Sequence, residues 1–240
     1  MKEKRTLFYI NANIHNREFI YTGIEFCEFM CYLKQPIKNI LLLKADYSGN
    51  NYANNFKLVE GEENIKLLLK EDVYNYGDFG FVDYSHLDNV NNLSDSQVAE
   101  LLFMAHKYKS LNNAFFETLG NRFAYLAHDD GWFCKLYCRE NDDFLDVLNG
   151  KIISLIQDIS KEKVNNLDVD VQQALLTLAE KGLLIDFSET ESNNNEICVN
   201  VYIVGKYEDM DKILNECQKL KKDSSEQKCL KYKDDKWCLT

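Results

Sequence analysis

The chain has 240 residues, 45% of them hydrophobic and 12% aromatic, which is enough for one large core or two small ones and argues against disorder over most of its length. With 39 acidic against 28 basic residues the formal net charge is -11, so most of the surface repels phosphate and no nucleic-acid partner is expected. The strongest apolar runs, "ILLL" at 40–43 and "IISLI" at 152–156, fall far short of the ~20 residues that span a bilayer, so no membrane partner is expected either.

The opening "MKEKRTLFYINANI" is basic, but its apolar part is too short for a signal segment; it reads as a first strand at 6–11 of a cytoplasmic protein. "YTGIEFCEFMCYLKQP" places Thr22 and Glu25 at capping-box spacing and stops at Pro36, the only proline, predicting a helix over 23–34. A strand follows in "KNILLLKADY", a short helix in "EENIKLLLK" and a strand in "YGDFGFVDY". Ser94 and Gln97 form a second capping box ahead of the helix "DSQVAELLFMAHKYKSL", and a helical turn "AFFETLG" ends at Gly120. Next comes "NRFAYLAHDDGWFCKLYC" at 121–138, two apolar strands joined at Asp130-Gly131, a pair suited to a turn that needs positive φ.

"NDDFLDVLNGKIISLIQDIS" sets Phe144, Leu145, Leu148, Ile152, Leu155 and Ile159 on one helical face despite Gly150, and "DVDVQQALLTLAEKG" is a helix closed by Gly182. Strands in "LLIDF" and "EICVNVYIV", a helix over about 208–222 and a terminal hairpin of "CLKYK" with "KWCLT" complete the chain. Asparagine-rich stretches at 48–55, 89–96 and 188–196 read as surface loops. This order predicts an α/β or α+β fold, a mixed β-sheet with helices packed on it. The chain reads as a single compact domain, with a subdivision into 1–160 and 168–240 at the polar "SKEKVNNLD" as the alternative.

Eight cysteines without a secretion segment are expected to be reduced thiols. Cys27 with Cys31, and Cys134 with Cys138, each share a face, yet neither pair has the C-x-x-C spacing of a zinc knuckle, so packed thiols are favoured over a metal site. Cys229 and Cys238 flank "LKYKDDKW" and could face each other in one register.

Chemistry has two candidate places. The turn in "AHDDG" requires Asp130-Gly131 but neither His128 nor Asp129, so those two are candidate catalytic or metal-binding groups. In "YNYGDFGFVDYSHLD", Asp78, Asp83, His86 and Asp88 mingle with Tyr74, Tyr76, Phe79, Phe81 and Tyr84, a composition suited to a polar or cationic ligand, or simply to core aromatics beside loop aspartates. His15, directly after the first strand, joins His86, His128 and Asp129 as a candidate metal ligand, with Asp83 as a further catalytic candidate; His106 reads as surface. Cys134 with His128 could form a nucleophile pair only if the fold brings them together. There is no H-E-x-x-H, G-x-S-x-G, P-loop or G-x-G-x-x-G motif, and no cofactor is indicated.

The phrases "TGIEFCEFM", "KNILLLKADY", "YGDFGFVDY", "AELLFMAHKYKSL" and "LGNRFAYLAHDDGWFCKLY", together spanning roughly 6–140, resemble a family of soluble bacterial proteins often labelled oxalate:formate antiporter. The resemblance implies a bacterial cytoplasmic protein of unassigned function. The transport label itself conflicts with the lack of apolar spans. The reading favoured by residues and resemblance is a non-catalytic interaction or regulatory protein, with a basic protein partner or a homo-oligomer. The alternative is a small-molecule or metal-dependent hydrolase using His128 and Asp129 with Asp78, Asp83 or His86. Mimicry of nucleic acid would need carboxylates spaced like phosphates, and the acids here follow no such period.

Overall fold

The computed structural model describes residues 6–43, 56–73, 79–104, 113–128, 131, 133–193 and 196–240. The first strand, β1 (Leu7–Asn13), turns through an asparagine cap, where Asn13 Oδ1 accepts from Asn16 N, into β2 (Glu18–Thr22). Helix α1 (Phe26–Tyr32) starts later than the spacing predicts, because Thr22 is held in the ladder opposite Tyr9 and the chain leaves it at Gly23 with φ +96. The cap moves one turn on, with Glu28 accepting from Glu25 N at 2.9 Å. The chain is extended again at Leu33, before Pro36.

Strand β3 (Asn39–Leu42) leads to β4 (Lys57–Glu60), α2 (Gly61–Leu68), β5 (Phe79–Asp83), α3 (Leu87–Asn91) and α4 (Asp95–Met104). Helix α3 is a short helix that overlaps the start of the stretch expected to be loop at 89–96. The Ser94 box forms as the spacing predicts, with Ser94 N donating to Gln97 Oε1 at 3.0 Å and Gln97 N to Ser94 Oγ at 3.3 Å. The hairpin is β6 (Phe123–His128) with β7 (Phe133–Cys138), paired from Phe123 opposite Cys138 to His128 opposite Phe133. Then come α5 (Asn141–Ser160), α6 (Val169–Ala179), β8 (Leu183–Asp186), a 3-10 turn over Phe187–Glu189, β9 (Glu191–Asn193) and β10 (Glu196–Ile203). The short β9, in another stretch expected to be loop, pairs with β10. The helix expected near 208–222 is two, α7 (Met210–Asn215) and α8 (Cys217–Lys222), broken at Glu216. Strands β11 (Glu226–Lys233) and β12 (Lys236–Leu239) form the terminal hairpin.

Contacts divide the chain into two compact units, Met1–Lys34 with Asn141–Thr240, and Gln35–Glu140. The polar stretch around 160–168 lies inside the first. Its strands run in the order β12-β11-β10-β8-β1-β2, with β9 on β10, and every pairing is antiparallel. Helix α5 packs against α1 and α6, with Phe19 stacked on Phe144 at 4.0 Å and the Tyr32 ring resting where Gly150 has no side chain. The second unit is a sheet in the order β7-β6-β5-β3-β4, again antiparallel throughout, around a core that includes Leu41, Val82, Leu101, Phe116, Leu126 and Tyr137. The fold class is therefore as expected, and antiparallel ladders with helices packed on them narrow it to α+β. Among the described residues no helix is long and apolar enough to cross a membrane.

Cysteine pairing departs from the expectation of reduced thiols. Cys229 is joined by a disulfide to Cys198 on β10. Cys238 lies opposite Lys231, because the β11–β12 register sets Leu230 against Leu239.

Candidate functional site

The second unit contains Asp83, His86 and His128, and β6 decides their spacing. Asp83 ends β5, is buried, and its Oδ1 accepts from Phe123 N at 2.7 Å and Arg122 N at 2.9 Å, tying the end of β5 to the start of β6. Burial pushes its carboxyl up to about 6, against the opposing pull of those two amides and of Arg122. His128 is the last residue of the same β6, buried, with its ring 5.0 Å from that of Phe133. Five residues of strand separate Phe123 from His128, about 17 Å at the usual rise. Asp83 and His128 therefore stand at opposite ends of β6. His86 lies beyond Asp83, exposed at the N-cap of α3.

Asp78, Asp129, Asp130 and His106 lie outside the described residues, as do Tyr74 and Tyr76. Gly131, at φ +78, takes the positive φ that the turn chemistry requires. In the first unit, His15 is exposed in the turn between β1 and β2. Cys134 is buried opposite Ala127, one position from His128 in the β6–β7 register. Neighbouring strand residues point to opposite faces, so the ladder does not set Cys134 and His128 side by side on one face. Among the described residues no group of three His, Cys, Asp or Glu side chains is set to hold a metal ion.

What surrounds Asp83 is a buried polar tie that the sequence reading missed. Asn121 is fully buried; its Oδ1 accepts from Phe116 N at 2.7 Å, and its Nδ2 donates to Ala114 O and Phe123 O, each at 3.0 Å. Arg139 Nε donates to Asn121 O at 2.9 Å, and its guanidinium lies over the Phe115 ring at 5.2 Å. An asparagine before a strand looks like any loop asparagine, and only the path of the chain over 113–121 turns it into a backbone clamp.

The first unit has a second missed cluster. Lys221 on α8 and Asp186 at the end of β8 are both buried and ion-paired, and Lys221 Nζ also donates to Glu189 Oε1 at 2.8 Å. Tyr202 Oη donates to Glu189 Oε2 at 3.0 Å, while Ser188 donates through both N and Oγ to Asp186. Desolvation works to lower the Lys221 ammonium, but its hydrogen bonds to the two carboxylates outweigh it and hold the group above the ordinary lysine range. Desolvation likewise works to raise Asp186, and its bonds to Lys221 and Ser188 hold it below the ordinary range. Every polar group here is engaged by a neighbour in the chain, which suits a structural tie between α8, β8 and β10.

No family model, no curated protein and no solved structure matches this chain.

Proposed function

We propose that the protein acts by binding a protein partner or a second copy of itself, and not by catalysis. The observation that supports this reading is the separation of Asp83 from His128 along β6, with Asp83 engaged by two backbone amides. Exposed apolar side chains, Leu67 at 57% and Phe103 at 60% in the second unit, supply anchors on an acidic chain of net charge -11. Full burial of such a side chain is worth about 1.5–3 kcal/mol, and the charge favours a partner with a basic rim. Light scattering on the purified protein, then affinity capture from a bacterial lysate at low and high salt, tests it. A dimer or a captured basic protein that is lost in both Leu67→Ser and Phe103→Ser supports the reading; a monomer that captures nothing at either salt sinks it.

The second reading is a hydrolase centred on the His128 end of β6 with Asp129. The burial of a histidine at a strand end favours it. Thermal melts against divalent metals, nucleotides and small carboxylates including oxalate test it: a stabilising shift that vanishes in a folded His128→Ala favours this reading over the first, and no shift with any of them removes it.

A further inference from the structure

Three adjacent strands of the first unit carry sulfur on one face. Side chains alternate along a strand, and burial separates the two faces of β10: Ile197, Val199 and Val201 are fully buried, whereas Glu196, Cys198 and Asn200 are half-buried. Cys198 lies opposite Lys231 on β11, and Lys231 opposite Cys238 on β12, so these three form one row of the open face. Cys229, two residues before Lys231, shares that face and stands diagonal to both Cys198 and Cys238. It is bonded to Cys198, with their Cα atoms 6.0 Å apart, while Cys238 is a free, exposed thiol.

We propose that this face is a thiol–disulfide exchange site in which Cys229 is the shared sulfur and Cys238 displaces Cys198 from it. The Cys238 thiolate attacks Sγ of Cys229. A Cys229–Cys238 bond forms as the Cys198–Cys229 bond breaks, and Cys198 leaves as a thiolate that takes up the proton Cys238 gave away. One disulfide and one thiol stand on each side of the step, so no oxidant or reductant is consumed. Lys231 sits in register between attacker and leaving group. Its ammonium is paired with Glu196 Oε1 at 2.5 Å and also interacts electrostatically with Cys238, so a cation is at hand for a thiolate in that row.

The ladder sets what must move. Cys229 and Thr240 exchange both backbone hydrogen bonds, at 2.9 and 3.0 Å, so Cys229 and Asn200 form the narrower, non-hydrogen-bonded kind of pair on the other side. The diagonal toward Cys238 is accordingly the wider one, and a disulfide does not bridge Cα atoms more than about 7 Å apart without backbone movement. Among the described residues β12 pairs with β11 alone, at the end of the strand order, so the movement falls on this hairpin and includes opening the Cys229–Thr240 hydrogen bonds. Exchange thus trades a staple between β10 and β11 for one between β11 and β12.

Disulfide mapping tests the exchange. Wild-type protein is held without reductant, under argon, near pH 8, where ordinary thiols are partly ionised, then quenched in acid, capped with N-ethylmaleimide, digested and analysed by mass spectrometry. The expected result is both linked peptides, Cys198–Cys229 and Cys229–Cys238, with the second lost in Cys238→Ser and formed slowly in Lys231→Met. Cys198→Ser treated with glutathione disulfide is expected to form Cys229–Cys238 directly. The proposal is overturned if that peptide is absent from both wild type and Cys198→Ser, whether Cys229 stays bonded to Cys198 or every cysteine is found capped.

Discussion

Replacing Asp83 by asparagine separates its charge from its hydrogen bonds. The amide oxygen of Asp83→Asn can still accept from Phe123 N and Arg122 N, but it cannot ionise. In the wild type the carboxyl rises from its ordinary 3.8 to about 6 on folding, a change worth about 3 kcal/mol between its two protonation states. Because the folded value lies above the unfolded one, the folded state holds the proton more tightly. The stability this group contributes is fully present below about pH 4 and is lost as pH rises through about 6. Urea unfolding followed by circular dichroism, run on both proteins from about pH 4.5 to 8, isolates this group, because the other carboxylates cancel in the difference. Asp83→Asn is expected to be the more stable protein at pH 7 by up to about 3 kcal/mol, with the gap closing toward pH 4. A gap that does not change with pH, or an Asp83→Asn protein less stable at pH 7, would show that the two amides outweigh desolvation and refute the reasoning.

Three further substitutions probe the ties described above. Gly150→Ala gains about 1 kcal/mol of helix propensity in principle, but its Cβ would lie 2.4 Å from Tyr32 Cγ; overpacking of this kind costs about 1–3 kcal/mol. A net loss in a denaturant melt is expected, turning into a net gain in a Tyr32→Gly background, which also removes the Tyr32 Cβ that would lie 2.7 Å away, and a gain in the wild-type background would refute the contact. Lys221→Met leaves Asp186 buried without its cation, and a loss of about 3–5 kcal/mol is expected from calorimetry at neutral pH; a change under about 1 kcal/mol would mean that water reaches the carboxylate. Asn121→Ala strands Phe116 N and two carbonyls, and a loss of about 2–4 kcal/mol is expected, with faster amide exchange at Phe116 as its local signature.

Much of the fold was legible from local chemistry. Alternation and short apolar runs located β1, β3, β5 and the β6–β7 hairpin, 3.6-residue periodicity located α5 and α6, and the Ser94–Gln97 box is in place, because each signal is contained within a few residues of chain. Caps and breaks at the junctions of elements were less legible. Thr22 has the right spacing for a cap, but the β1–β2 ladder claims it first, and the predicted last helix breaks at Glu216 without a glycine or proline to announce it. The candidate site was legible only as residue types. His128, Asp83 and His86 attract notice wherever they fall, but whether they meet depends on which end of a strand each occupies, and the antiparallel pairing of β5 with β6 sets Asp83 and His128 at opposite ends.

Composition and periodicity by themselves determined a mixture of helices and strands, α/β or α+β, the acidic net charge and the absence of long apolar runs, since each is a sum over residues or a pattern within one element; the antiparallel pairing that makes it α+β came from the tertiary structure. Tertiary structure alone decided that Asn121 clamps three backbone groups, that Lys221 finds Asp186 at 35 residues' remove, and that Cys229 bonds Cys198 while Cys238 faces Lys231. Those contacts are long-range pairings whose register a shift of one residue would rewrite, and no local preference in the chain encodes them.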